Sequence, residues 1–84
     1  MSWYVYIVEC RDKTLYTGIT TNIERRVQEH NTSNKSGARS LRGKRPVKLV
    51  YIEKVQDQKE AQQKERVIKS WKKEYKLRLV KGEF

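Results

Sequence analysis

The stretch "WYVYIVE", Trp3 to Glu9, alternates two apolar sets, Trp3, Val5 and Ile7 on one side and Tyr4, Tyr6 and Val8 on the other. Aromatic and β-branched residues at period two predict a strand. Arg11-Asp12-Lys13 is a polar break, and Thr14 to Ile19 resumes the strand pattern and ends near Gly18. So short a break predicts a β-hairpin. A strand that is apolar on both faces needs cover on both, which calls for helices. "VKLVYIE", after Pro46, predicts a third strand, again apolar on both faces.

Two segments carry helical signals. Thr21 and Glu24 fit a capping box that opens "NIERRVQEHN", ending near Asn31. Asp57 and Glu60 fit a second, ahead of "KEAQQKERVIKSWKKEYKLRLV", a helix with an expected break near Lys73. Between the first helix and the third strand, "TSNKSGARSLRGKR" has the composition of a loop. The order is β-β-α-β-α, with a last short helix. The expected fold is α+β: a small three-stranded, mainly antiparallel sheet flanked by two or three helices.

Within this pattern three polar residues sit where packing alone does not put them. The last long helix has an apolar stripe at Ala61, Ile68, Trp71 and Tyr75, and Glu65 falls on that stripe. A carboxylate facing inward is costly unless paired, protonated or metal-bound. A stripe-edge Glu that reaches water, or one paired with an Arg, fits equally well. In the first helix Ile23 and Val27 are the apolar anchors, and Arg26 and His30 lie four apart on their flank. Taken singly, Arg26 reads as a snorkelling side chain and His30 as a helix-end imidazole. Together with Glu65 and the strand tyrosines they suggest a site.

Residues 6 and 16 share a sheet face only if the turn leaves an odd number of unpaired residues or a bulge intervenes. A three-residue turn satisfies this and sets Gly18 opposite Tyr6, with room for the ring and for a backbone approach to phosphate.

Length and charge narrow the function. The 84 residues leave room for one domain, residues 1–84. The single Cys10 excludes an internal disulfide, and no Cys/His cluster suggests structural zinc. "WYVYIV" is too short to span a membrane or to form a signal-peptide core, so a cytoplasmic protein is expected. Twenty Lys and Arg against ten Asp and Glu give a net charge of +10. No acidic residue occurs from His30 to Ile52, where Lys35, Arg39, Arg42, Lys44 and Arg45 form a flexible basic segment suited to a polyanion. Lys69, on the later helix, joins this nucleic-acid-binding set. Solubility alone is the bland explanation of such charge.

The ordered set Tyr6, Tyr16, Gly18, Arg26, His30 and Glu65 resembles the GIY-YIG nuclease superfamily, in particular its small stand-alone bacterial members. "YVYIV" is similar to the first signature strand, with Tyr6 as its tyrosine, and "YTG" to the second, with Tyr16 and Gly18. Arg26 matches the family's helical arginine, His30 a position often His or Tyr, and Ala61-x-x-x-Glu65 the metal-ligand pattern. Tyr4 and Thr17 depart from the signature glycine and isoleucine. Ile19 stands where a lysine often follows, and no Asn lies beyond the metal helix.

The resemblance implies phosphodiester hydrolysis of nucleic acid, DNA rather than RNA, by a monomer with one Mg²⁺ or Mn²⁺ on Glu65 and no other cofactor. It implies Arg26 as phosphate clamp, Tyr16 as general base and Tyr6 as its positioning partner. His30 either relays a proton or orients Tyr6. Two other functions fit the same charge: a nucleic-acid-binding module that does not cleave, and a domain that docks acidic proteins.

Overall fold

The computed structural model describes residues 2–33 and 37–83. Its elements run β1 (Trp3–Glu9), β2 (Leu15–Thr20), α1 (Ile23–Thr32), a 3-10 helix (Arg39–Lys44), β3 (Lys48–Val55), α2 (Gln58–Lys69) and α3 (Lys73–Val80). The three strands form one antiparallel sheet in the order β2-β1-β3. The expected β-β-α-β-α-α order and α+β class are what is observed.

The hairpin closes as its spacing requires. Cys10 N–H donates to Thr14 O at 2.8 Å, which leaves Arg11, Asp12 and Lys13 in the turn. Lys13 takes a left-handed conformation at φ 73°, as the last residue of a three-residue hairpin loop does. Asp12 Oδ1 accepts from the Thr14 amide and hydroxyl and fixes the turn. The resulting register sets Tyr6 opposite Gly18 and Val8 opposite Tyr16. Directly opposed residues point to the same side, so Tyr6, Gly18 and Tyr16 share one sheet face.

Each face of the sheet has its own core. Val5 and Ile7 pack with Val55, Ala61 and Ile68 under α2 and α3, with Trp3, Leu15, Ile19, Tyr51, Trp71 and Leu79 at the margins. Tyr6 and Val8 pack with Cys10, Leu41 and Val47 on the other side, beside Ile23 and Val27 of α1. Central β1 is therefore buried from Val5 to Val8.

Not every local expectation holds. The cap of α1 is Asn22, whose side-chain oxygen accepts from Arg25 N at 3.0 Å, so Thr21 lies one residue outside the helix. Asn caps as well as Thr, and the one-residue shift moves Glu24 off the reciprocal capping position. The Asp57–Glu60 box forms as expected: Asp57 Oδ1 accepts from Glu60 N at 2.9 Å, and Glu60 Oε1 accepts from Gln56 N at 2.8 Å. β3 is not covered on both faces. A bulge between Ile7 and Val8 shifts its register, and Leu49 and Ile52 remain 38% and 47% exposed. The helix break, with α2 ending at Lys69 and α3 starting at Lys73, leaves Tyr75 exposed beside Arg78 rather than inside with Ala61 and Ile68.

The basic segment is not a free loop. Its 3-10 helix buries Leu41 and is tied to the hairpin, where Arg11 N–H donates to Lys44 O at 2.9 Å. Asn31 closes the other end, its carboxamide donating to Val47 O at 3.0 Å and accepting from Val47 N at 2.7 Å. Among the described residues no helix is long and apolar enough to cross a membrane.

Candidate active site

Tyr6 is the hub. It is 1% exposed, yet its hydroxyl lies among polar groups from three elements. The ring leans across the backbone of β2 at Gly18. A Cβ built there would sit 2.5 Å from the Tyr6 hydroxyl oxygen and 2.6 Å from Cζ. Any larger residue would displace the ring, so glycine is required by close approach rather than by a special backbone angle. The same contact buries Gly18. The space left by the missing side chain is taken by Tyr6, and the expected approach of phosphate to the Gly18 backbone is not open.

His30 faces both tyrosines from the last turn of α1. Its ring lies edge-on to Tyr16 with centroids 5.3 Å apart, and tilted to Tyr6 at 6.0 Å. Two hydrogen bonds fix its state. Ala38 N–H donates to Nδ1 at 3.0 Å, so Nδ1 carries a lone pair. The neutral ring then bears its proton on Nε2, which lies 2.7 Å from the Tyr6 hydroxyl oxygen and donates to it. The imidazole is fully buried. Burial, with Arg26 and Arg45 adding positive charge nearby, brings its pKa down to about 4 despite Glu29.

Arg26 also donates to the Tyr6 hydroxyl and forms a 3.1 Å ion pair with Glu29, three residues on. Burial raises the Tyr6 pKa to about 12, and the neighbouring Tyr16 and Glu65 push the same way against Arg26. Tyr16, Arg26 and Glu65 thus all act electrostatically on this one hydroxyl.

Glu65 reaches this group from α2, which packs on β1 and β2. It is half-buried and pairs with Lys69 at 3.3 Å, one turn on. The Lys69 ammonium lies 5.9 Å from the centre of the Tyr16 ring. The stripe position of Glu65 is thus real, but the carboxylate is at its edge and ion-paired. Among the described residues no three His, Cys, Asp or Glu gather into a metal cluster. One carboxylate, with water and phosphate oxygens completing the shell, is a donor set Mg²⁺ and Mn²⁺ accept, and Glu65 is a carboxylate that could supply it.

The basic residues divide. Arg45 Nε donates to His30 O at 2.6 Å and its guanidinium to Ser33 O at 2.9 Å, where it satisfies carbonyls at the end of α1. Lys44 donates to Thr14 Oγ1 at 3.3 Å and lies 3.6 Å from Asp12. Both hold the fold, a role that composition alone does not signal. Arg39 and Arg42 are exposed on the 3-10 helix, and Lys69 is exposed beside the tyrosines. Lys35 lies outside the described residues.

Residues 2–78 match the model of the GIY-YIG catalytic domain. A UPF0213 protein of Desulfotalea psychrophila is 56% identical over 81 residues, 96% of this chain and 73% of that protein. One from Syntrophus aciditrophicus is 53% identical over 78 residues, 93% of this chain and 88% of that protein. The solution NMR structure of a UPF0213 protein from Bacillus halodurans superposes with a TM-score of 0.61 at 37% identity, covering 96% of this chain and 84% of that one. The chain belongs to the GIY-YIG catalytic domain family, among its small UPF0213 members.

Proposed function

We propose that this chain is a divalent-metal-dependent endonuclease that hydrolyses phosphodiester bonds in nucleic acid, with DNA as its substrate. Its family implies nuclease-type activity on nucleic acid. The observation that carries the reading is the run of contacts that joins Tyr6 to His30, His30 to Tyr16, and Tyr16 through Lys69 to Glu65, with Arg26 bonded to the Tyr6 hydroxyl.

Hydrolysis needs an oriented water, a base to take its proton and positive charge on the phosphate. Tyr6, with a pKa near 12, keeps its proton at neutral pH. Its oxygen accepts from His30 and Arg26, so its remaining O–H is left to donate to a water. Tyr16, on the same face, takes that water's proton as a phenolate, its own O–H proton having first left to solvent. His30 is a positioning residue: with Nδ1 occupied by the Ala38 amide it orients Tyr6 and relays nothing. Arg26, held by Glu29, stabilises charge developing on the phosphate. Glu65 holds Mg²⁺ or Mn²⁺, which when bound supplies Lewis-acid stabilisation of the phosphate and leaving oxygen.

The test is incubation of purified protein with labelled branched, nicked and linear DNA, and with RNA, in Mg²⁺ or Mn²⁺. Cleavage of DNA that disappears in Glu65→Ala and Arg26→Ala supports the proposal. Salt-sensitive binding without cleavage of any substrate would point instead to a binding module.

A further inference from the structure

Lys69 is exposed on α2 beside the Tyr16 ring. An exposed i,i+4 Glu–Lys pair is usually a minor helix contact with the lysine otherwise in water. Here the ammonium has two partners of different kinds. It is 3.3 Å from Glu65 Oε2 and 5.9 Å from the Tyr16 ring centre, on a different element. The contact spans from α2 to β2 and joins the Glu65 carboxylate to the Tyr16 ring. Glu65 has 23% of its side chain exposed, so the ammonium covers part of the remaining approach to it.

We propose that Lys69 is an internal competitor for the divalent ion at Glu65: its ammonium occupies the cation position and is displaced when the ion binds. This rests on the assignment of Glu65 as the metal ligand. Displacement need not remove Lys69 from the site. The Tyr16 face retains the ammonium by cation–π attraction, and four rotatable bonds let the charge turn outward. There it faces an incoming phosphate beside the proposed base. In the exchange the carboxylate trades a monovalent ammonium for a divalent ion, and the anionic phosphate oxygens that arrive with it meet both the added charge and the freed ammonium. Lys69 thereby makes the site prefer an ion that arrives together with nucleic acid over an ion alone.

The proposal gives one variant two effects of opposite sign. Lys69→Met removes the competing charge and keeps a long apolar stem on Tyr16. Manganese chloride titrated by calorimetry without nucleic acid should bind about three-fold more tightly to Lys69→Met than to the unmodified chain, the scale of a partly exposed ion pair. A labelled oligonucleotide should bind the same variant more weakly in Mn²⁺, with a shallower salt dependence by about one counterion. Lys69→Arg should restore nucleic-acid binding. Circular dichroism checks that the helices are retained. Two outcomes overturn the proposal and are distinguishable. If Glu65→Gln abolishes Mn²⁺ binding but Lys69→Met leaves affinity unchanged or weaker, Lys69 does not compete and Glu65 remains the ligand. If neither the unmodified chain nor Lys69→Met binds Mn²⁺, or Glu65→Gln binds it undiminished, the Glu65 assignment falls and the competition with it.

Discussion

Gly18 and Tyr6 stand opposite each other across β2 and β1, and a Cβ on Gly18 would lie within 2.9 Å of three atoms of the Tyr6 side chain. The ring is buried and cannot retreat without disturbing the His30 bond. Gly18→Ala is therefore expected to destabilise the domain by about 1–3 kcal/mol, the cost of overpacking a filled core. It should also reduce cleavage, because the hydroxyl is displaced. A double-mutant cycle isolates the cause. In a Tyr6→Leu background, which removes the clashing ring, the cost of Gly18→Ala in urea unfolding should fall by at least half. An equal cost in both backgrounds would locate the strain elsewhere in β2.

The Tyr6–Gly18 pairing was legible in the sequence. It follows from counting residues across a three-residue turn, because parity fixes which face a strand residue takes. The capping residues of α2 and the break before Lys73 were equally local signals. Other features were not local. Period put Glu65 on the inner stripe and left open whether it sat at the edge, because the tilt of α2 over β2 is set by packing. Composition counted Arg45 and Lys44 as basic charges without showing that Arg45 meets the carbonyls of His30 and Ser33 and Lys44 the side chains of Thr14 and Asp12. Leu49 and Ile52 looked buried because an apolar pattern does not show that α1 leaves β3 partly uncovered.

His30 predicts a pH dependence of stability. Its folded pKa is lowered from 6.5 to about 4, so the unfolded chain takes up a proton that the fold refuses. Stability is full above pH 6.5 and falls as pH drops from there toward 4, by about 2 kcal/mol between pH 7 and 5. Arg26 and Arg45 oppose the charged ring and Glu29 favours it. Asp12, through its Thr14 bonds, and Glu53, which Lys64 and Tyr51 hold low against its burial, are depressed carboxylates. Their contribution is lost as pH falls from the ordinary carboxylate range downward, where the unfolded chain takes up the protons first. His30 is the sole histidine, so its ring proton resonances are unambiguous in NMR. They should not titrate between pH 8 and 5. In His30→Gln, the stability difference between pH 7 and 5 should shrink. A titration centred near 6.5 in the folded protein would contradict the Ala38 bond to Nδ1.

Arg45 and Arg39 should separate fold from binding. Arg45→Met removes donors from the carbonyls of His30 and Ser33. Because charged hydrogen bonds are lost and those acceptors stay half-buried, unfolding free energy should drop by about 1.5–3 kcal/mol. Arg39 is exposed on the 3-10 helix, so Arg39→Ala should leave stability within about 0.5 kcal/mol. Its effect should appear in the salt dependence of nucleic-acid binding, with the slope reduced by about one. Chemical denaturation and fluorescence anisotropy read the two effects apart. Equal loss of binding and no loss of stability in both variants would show that Arg45 is free to leave its carbonyls.

Thr17 lies between Tyr16 and Gly18 but points to the opposite face, across from Ile7. It is 2% exposed, and its Oγ1 is the buried side-chain polar atom without a hydrogen-bond partner among the described residues. The hydroxyl lost its water on folding and gained nothing in return. Thr17→Val keeps the shape and removes that penalty, so it should stabilise the domain by about 1 kcal/mol. For a chain this size that raises Tm by about 4–8 °C. Cleavage should not change, because the substitution is made under α2 and not beside Tyr6. Thr17→Ala separates the two contributions: it removes the hydroxyl too but leaves a methyl-sized void, and should end below Thr17→Val. Thermal unfolding of the three proteins settles the order, and a Thr17→Val protein less stable than the original would mean that the hydroxyl bonds a group in the core of the β1–α2 face.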